Sequence, residues 1–307
     1  MTQATIEKRT LGRTGVEVTR LGYGTMELRG ERIWGGRPIR DEQADTILND
    51  VLDSGINFLD TSADYGKSEE LIGKFAGSRR AEYVLTTKTG CEVVPGEETD
   101  QTLHDFSRDH MLSNIENSLR LLRTDHLDFV QLHNPTVEQA ETSKVIDTMR
   151  EIVANGQAGA FGISSRSPDL RTFVEWDVFD VFQIPYSALE RAHENLITRA
   201  HETGAGVIVR SAAPRSSVGG GLGKEDRWAT WQQAGLEELL EPGESRARWM
   251  LRYLLSHPHI DTVIIGTINP DHLQENLADL AAGPLAADVY AEAKLRLDRA
   301  GRTPEDA

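Results

Sequence analysis

The sequence predicts a (β/α)8 barrel with an N-terminal β-hairpin and an extra C-terminal helix. Eight short apolar runs alternate with stretches of helical periodicity, the pattern of successive parallel βα units. Several runs end on polar side chains, as strands do where they open onto the site-bearing face of a barrel. No G-x-G-x-x-G follows the first run and opens a helix, which argues against an open dinucleotide-binding sheet. At 307 residues length alone allows one large domain or two small ones, and the unbroken alternation of strands and helices predicts a single domain spanning 1–307.

Alternating runs on either side of Gly12-Arg13-Thr14-Gly15 predict the hairpin, over residues 8–20. Leu21-Gly22-Tyr23-Gly24 is the first barrel strand, with a glycine-rich loop running on to Gly36. Ala44, Ile47, Leu48, Val51 and Leu52 recur at helical spacing, and Gly55 stops that helix. Residues 56–59 form the second strand, ending on Asp60. Ser68 reads as the N-cap of a short helix to Phe75. The third strand, 83–87, ends on Lys88, and residues 90–106 read as a long loop that covers a site. A helix at 109–122 precedes the fourth strand, 127–132, which ends on His133. After a helix at 143–154, the fifth strand, 158–163, ends on Ser164-Ser165. A helix at 168–176, a strand at 178–184 containing Gln183, a helix at 193–203 and a strand at 206–209 ending on Arg210-Ser211 follow. Helical residues to 256 lead to the eighth strand, 262–265. Asn269-Pro270 then opens a helix as N-cap and first helical residue, and a last helix covers 286–298.

A formal net charge of −16 argues against nucleic acid and anionic membrane surfaces as partners, so a phosphate-bearing ligand needs a local basic patch. Cys91 is the only cysteine, which excludes an internal disulfide and fits a reducing compartment. The first residues show no charged-then-apolar leader, and no apolar run is long enough to span a bilayer. A cytoplasmic protein is expected. His193-Glu194 and His201-Glu202 begin like H-E-x-x-H, but Ile197 and Ala205 occupy the second histidine positions, so no metal is expected. Without G-x-S-x-G, a serine hydrolase is not expected either.

The strand-end residues suggest one chemistry. Asp60 closes the second strand and Tyr65 lies in the turn ending at Gly66; alone they could be a helix cap and a packed loop aromatic. Lys88 and His133 at the next two strand ends change that. An ammonium beside a phenol favours phenolate and lowers its pKa, and Asp60 can supply the counter-charge that a buried lysine needs. A neutral His133 can orient a carbonyl oxygen while Tyr65 protonates it. None of these groups carries a hydride, so a nicotinamide cofactor is implied.

The chain resembles the aldo-keto reductase family. The resemblance rests on Leu11-Gly12-Arg13-Thr14-Gly15, the run from Gly22 to Met26, Asp60 to Glu69, Lys88, Asp128-Phe129-Val130-Gln131-Leu132-His133, Gly162-Ile163-Ser164, and Gly266 with Glu275-Asn276. These occur in the family's order along nearly the whole chain. The resemblance implies a (β/α)8 barrel and reduction of an aldehyde, ketone or sugar carbonyl with NADP(H), or NAD(H) as the alternative. It assigns the catalytic tetrad to Asp60, Tyr65, Lys88 and His133. It places the cofactor along Gly24, Thr25, Met26, Asp60, Ser164, Ser165, Gln183, Arg210, Ser211, Gly266, Thr267, His272, Glu275 and Asn276. The glycine-rich segment 215–224 would fold over the pyrophosphate. Ser165 stands where the family usually has Asn, and Arg210 where many members have an aromatic that stacks on the nicotinamide. Gly266 and His272 take the places of cations that often grip the 2′-phosphate. Trp34, Tyr65 and His133 are expected against the substrate, with walls near Met26, Tyr186 and the 90–106 segment. A cofactor-binding regulatory module with little turnover is the competing reading.

Overall fold

The computed structural model describes residues 5–210 and 224–307. A closed barrel forms from eight parallel strands: β3 (Leu21–Gly24), β4 (Phe58–Asp60), β5 (Val84–Thr89), β8 (Phe129–His133), β9 (Phe161–Ser164), β10 (Val181–Pro185), β11 (Gly206–Arg210) and β12 (Thr262–Ile265). They stand around the barrel in chain order, and β12 pairs back onto β3. The antiparallel hairpin of β1 (Lys8–Thr10) and β2 (Glu17–Thr19) caps the N-terminal end. Its Leu11 and Val18 pack with Phe58, Phe129, Val181 and Ile208, closing the barrel floor with apolar side chains. Gly12 there has φ +50°, and an added Cβ would sit 2.0 Å from the Gly206 nitrogen. Only glycine allows that approach.

The helices are α1 (Asp41–Asp53), α2 (Ser68–Phe75), α3 (Arg108–Leu122), α4 (Val137–Thr142), α5 (Val145–Ala154), α6 (Asp169–Glu175), α7 (Glu194–Glu202), α8 (Lys224–Gln233), α9 (Arg246–Leu255), α10 (Pro270–Ala281) and α11 (Ala287–Arg299). Their apolar stripes and the outward faces of the strands form the main core. Asn269 caps α10 as expected, accepting from the Asp271 N–H at 2.9 Å. Among the described residues, no helix is long and apolar enough to cross a membrane.

Several strands begin later than their apolar runs, and one device recurs at the start of three of these and of β12. Asn57, Asp128, Asp180 and Asp261 each immediately precede a strand. Their side-chain oxygens accept the N–H groups of Thr19, Leu85, Phe161 and Val207 on other strands, at 2.7, 2.8, 3.2 and 2.8 Å. A side chain thus satisfies a backbone donor just below the ladder.

Three local expectations are corrected. Residues 90–106 contain a second hairpin, β6 (Cys91–Val94) with β7 (Gln101–His104). Arg32 binds Asp100 and the Gly96 carbonyl, pinning this hairpin to the loop after β3. The predicted helix at 143–154 is α5 alone, preceded by a separate α4. Thr136 and Gln139 cap α4 reciprocally, and Lys144 breaks the two apart at φ +52°. Ser68 is the first residue of α2 rather than its cap: its hydroxyl donates to Thr25 Oγ1 at 2.6 Å.

Candidate active site

The C-terminal ends of β4, β5 and β8 bring Asp60, Lys88, Gln131 and His133 together. Side chains alternate along a strand, so Gln131 and His133 point the same way from β8, and the ladder sets Lys88 opposite Gln131. Lys88 Nζ donates to Asp60 Oδ2 at 2.8 Å and to the Thr61 carbonyl at 2.7 Å. The two side chains are 1% and 2% exposed. On the other carboxylate oxygen, Asp60 accepts from Gln131 Nε2 at 3.1 Å and Gln183 Nε2 at 2.7 Å. An ion pair this deep persists only with its remaining valences satisfied, and the two amides do that. Burial pulls the Lys88 pKa down, but Asp60 and Tyr65 outweigh it and hold the ammonium charged.

Tyr65 lies in the turn between β4 and α2, with Lys88 Nζ 5.0 Å from its ring centre. That turn depends on Gly66, which has φ +48° and would place a Cβ 2.2 Å from the Arg29 carbonyl oxygen. The phenol departs from expectation. Burial raises its pKa; Lys88 and Arg210 pull it back while Asp60 and Asp64 push it further, and the result is about 12. Lys88 acts in the predicted direction, but withdrawal from water outweighs it.

His133 meets a network the sequence did not announce. Its Nδ1 lies 3.3 Å from Asp64 Oδ2, 3.3 Å from Ser62 Oγ and 2.8 Å from Cys91 Sγ. Asp64 in turn accepts from the Ser62 hydroxyl at 2.5 Å. Burial raises the Asp64 pKa, but His133, Ser62 and Lys88 bring it down to about 2. A carboxylate that stays ionised down to about pH 2 therefore faces Nδ1 and orients the ring. Asp64 and Ser62 lie inside the motif around Tyr65, and Gln131 stands two residues before His133; strand period was the available signal for Gln131. Nothing in the sequence pointed to Cys91.

Trp34 stacks edge-on against Tyr65, with ring centres 5.9 Å apart, and His133 lies on the tyrosine at 6.2 Å. Trp34 Nε1 donates to Thr102 Oγ1 at 2.8 Å, so the second hairpin holds the indole beside the phenol. Tyr186 is not a wall. It is fully buried, and its hydroxyl pairs with Glu194 and Tyr253.

The remaining predicted contacts divide. Ser164 Oγ at the end of β9 and Arg210 Nε at the end of β11 are buried and have no hydrogen-bond partner among the described residues. Unsatisfied polar atoms converging on a strand-end face suit a polar ligand. Ser165 is buried beside Ser164, and Gly24 and the part-exposed Met26 stand at the end of β3. Thr25 turns inward: its hydroxyl donates to the Asp60 carbonyl and accepts from Ser68. Gln183 directs its NH2 at Asp60, which leaves its carbonyl end for any ligand. Gly266 and Thr267 follow β12. His272 lies in the first turn of α10, with Glu275 exposed and Asn276 buried one turn on. Ser211 and the glycine-rich segment 215–223 lie outside the described residues. His193 and His201 face a carbonyl and another histidine ring, respectively. A separate cavity of about 310 Å³ lies under the first hairpin, lined by Arg9, Arg20 and Pro284 at the N-terminal ends of the strands, away from this network.

Known proteins resemble this chain along nearly its full length. The uncharacterized oxidoreductase YqkF of Bacillus subtilis is 27% identical, with 89% of this chain and 90% of that protein aligned. The NADH-specific methylglyoxal reductase of Escherichia coli is 25% identical, covering 92% and 96%. The holo form of aldo-keto reductase AKR11C1 from Bacillus halodurans superposes with a TM-score of 0.81 at 28% identity, covering 95% of this chain and 96% of its own. With the Aldo/keto reductase family profile matching residues 20–295, the chain belongs to that family.

Proposed function

We propose that this chain reduces an aldehyde or ketone, or oxidises the corresponding alcohol, with Tyr65 as the proton donor. The observation that carries this reading is the buried Asp60–Lys88 pair against the Tyr65 ring, with the His133 ring edge-on to the same tyrosine at 6.2 Å. A phenol with a pKa of about 12 is protonated throughout the working range, the form a donor needs. Lys88 stabilises the phenolate left after proton transfer, and Asp60 keeps Lys88 charged and aimed. Asp64 orients His133 so that its other ring nitrogen meets the substrate oxygen. Trp34 and the second hairpin wall the site from water. General acid catalysis of this kind contributes about 10²–10⁴-fold.

The bound nicotinamide supplies the hydride, which no side chain here can. Ser164, Ser165 and the Gln183 carbonyl would hold its carboxamide, Glu275 and Asn276 the adenine, and Arg210 with Gly266, Thr267 and His272 the ribose and phosphates. NADP(H) is the favoured cofactor by family resemblance. The segment from Gly266 to Asn276 contains no Lys or Arg, and the E. coli relative is named as NADH-specific. A charge-assisted hydrogen bond is worth about 1.5–3 kcal/mol, so preference between NADPH and NADH should fall short of about 100-fold. A small-molecule carbonyl or sugar is the substrate class, and the cytoplasm the proposed location.

The decisive experiment is Tyr65→Phe, assayed for oxidation of NADPH or NADH across a panel of aldehydes, ketones and sugars, with cofactor affinity measured in parallel. Loss of turnover with cofactor binding retained supports the assignment. Undiminished turnover refutes it. Cofactor binding by the wild type with no turnover across the panel would favour the regulatory reading.

A further inference from the structure

Cys91, His104 and His133 offer one sulfur and two imidazole donors whose ligating atoms all lie within 4.8 Å of one another. Cys91 and His104 pair directly across the second hairpin. Cys91 Sγ already sits 2.8 Å from His133 Nδ1, while the His104 ring meets His133 edge-on with centres 5.9 Å apart. His104 is exposed and stacks on Phe106, so its approach is open from solvent. A tetrahedral zinc ion bound by one thiolate and two imidazoles spaces its ligand atoms about 3.3–3.6 Å apart, as its bond lengths of about 2.0–2.3 Å require. Small side-chain rotations meet that spacing without moving the barrel, because one ligand comes from the end of β8 and two from the pinned hairpin.

We propose that Cys91, His104 and His133 form a binding site for zinc or a similar borderline divalent cation, and that the bound metal switches the enzyme off by capturing His133. Mixed thiolate and imidazole donors select such cations over magnesium or calcium. Three protein ligands leave a fourth position for water. Binding forms the metal–sulfur bond and releases the thiol proton to solvent, with no change of oxidation state. The metal takes Nδ1, the nitrogen beside Cys91, and ends its contact with Asp64. Metal binding depends only on this geometry; inhibition rests on the role proposed above for His133.

The test uses the full chain, stripped of metal by a chelator and titrated with cobalt(II) and then zinc(II). One equivalent of cobalt should bind, with a thiolate-to-cobalt charge-transfer band. Cys91→Ser should abolish the band, and His104→Gln should weaken binding by at least about 10-fold, the scale at which metal-site neighbours already act. Zinc should inhibit carbonyl reduction reversibly in the wild type. Measured against its own metal-free rate, His104→Gln should lose zinc sensitivity. Absence of the thiolate band, or equal affinity in wild type and His104→Gln, overturns the site. A site that fills as described while turnover continues overturns the inhibition and counts against His133 as a catalytic group.

Discussion

The Asp60–Lys88 pair makes the sharpest quantitative prediction. Replacing Lys88 with Met removes the ammonium but leaves the Asp60 carboxylate buried, held only by the Gln131 and Gln183 amides. At 2.8 Å and an effective dielectric of about 20, the attraction is about 6 kcal/mol, opposed by a desolvation penalty of several kcal/mol per ion. The net worth of the pair is therefore modest, but the cost of orphaning one charge is large. Lys88→Met should lose about 3–5 kcal/mol of stability, and Asp60→Asn a similar amount, since Lys88 would keep only the Thr61 carbonyl. The double variant Lys88→Met/Asp60→Asn buries no charge and should lose less than the sum of the singles by about 2–3 kcal/mol. Urea unfolding at neutral pH, followed by circular dichroism, measures all three. Turnover separates from stability: the double variant should refold well and still lose activity with Lys88→Met, because the phenolate has lost its cation. Additive losses, or a single variant within about 1 kcal/mol of wild type, would refute the buried-pair account.

Glu69 gives a pH prediction. It is fully enclosed, and burial lifts its carboxyl to about 7 even though the Thr87 hydroxyl donates to it. The native state therefore holds this proton more tightly than the unfolded chain. Its stabilising share is complete below the usual carboxylate range and declines as pH rises through about 7. Glu69→Gln should accordingly gain stability relative to wild type by a few kcal/mol at pH 8 and lose that advantage at pH 4, as read by thermal unfolding at each pH. Gly66→Ala should disorder the Tyr65 turn, because its Cβ meets the Arg29 carbonyl. Turnover should fall far more than global stability, and a structurally silent, fully active Gly66→Ala would contradict the packing described.

The barrel and the clustering of its strand-end side chains were legible because both follow from backbone periodicity. Strand period two, with one exit face, makes Asp60, Lys88, His133 and Ser164 neighbours before any coordinates exist. What escaped depends on depth and long-range pairing. The 91–104 hairpin reads as a loop because its strands are short and its tip, Gly96-Glu97-Glu98, is polar; Arg32 and Asp100 hold it from outside. The sign of the Tyr65 shift escaped because a sequence names the neighbouring cation but not how many protein groups crowd the phenol. Tyr186 was placed wrongly for a related reason. It follows a barrel strand, yet Glu194 and Tyr253 draw it into the helical layer. Ser68 showed the same limit at short range: its composition suits a cap, but Thr25 claims the hydroxyl.

The opposing influences on Tyr65 act on different protonation states. Burial disfavours the anion at all times, so the resting phenol keeps its proton. Lys88 contributes most once that proton has gone, since a cation interacts strongly only with the phenolate. The ion pair and the depth of the site are thus complementary rather than contradictory. The same depth explains why the supporting residues are so heavily bonded. Asp60 carries three side-chain donors, Lys88 two acceptors, and Asp64 an imidazole and a hydroxyl. In such surroundings an unsatisfied group is costly. Among the buried polar atoms without a partner in the described residues, Ser164 Oγ and Arg210 Nε lie at strand ends, where a bound ligand could satisfy them. Ser164 stands beside His133 across the β8–β9 pairing, and Arg210 closes β11, two strands further round the barrel. In the proposed reading, a cofactor held by β9 and β11 and a substrate beside Trp34 would meet near Tyr65.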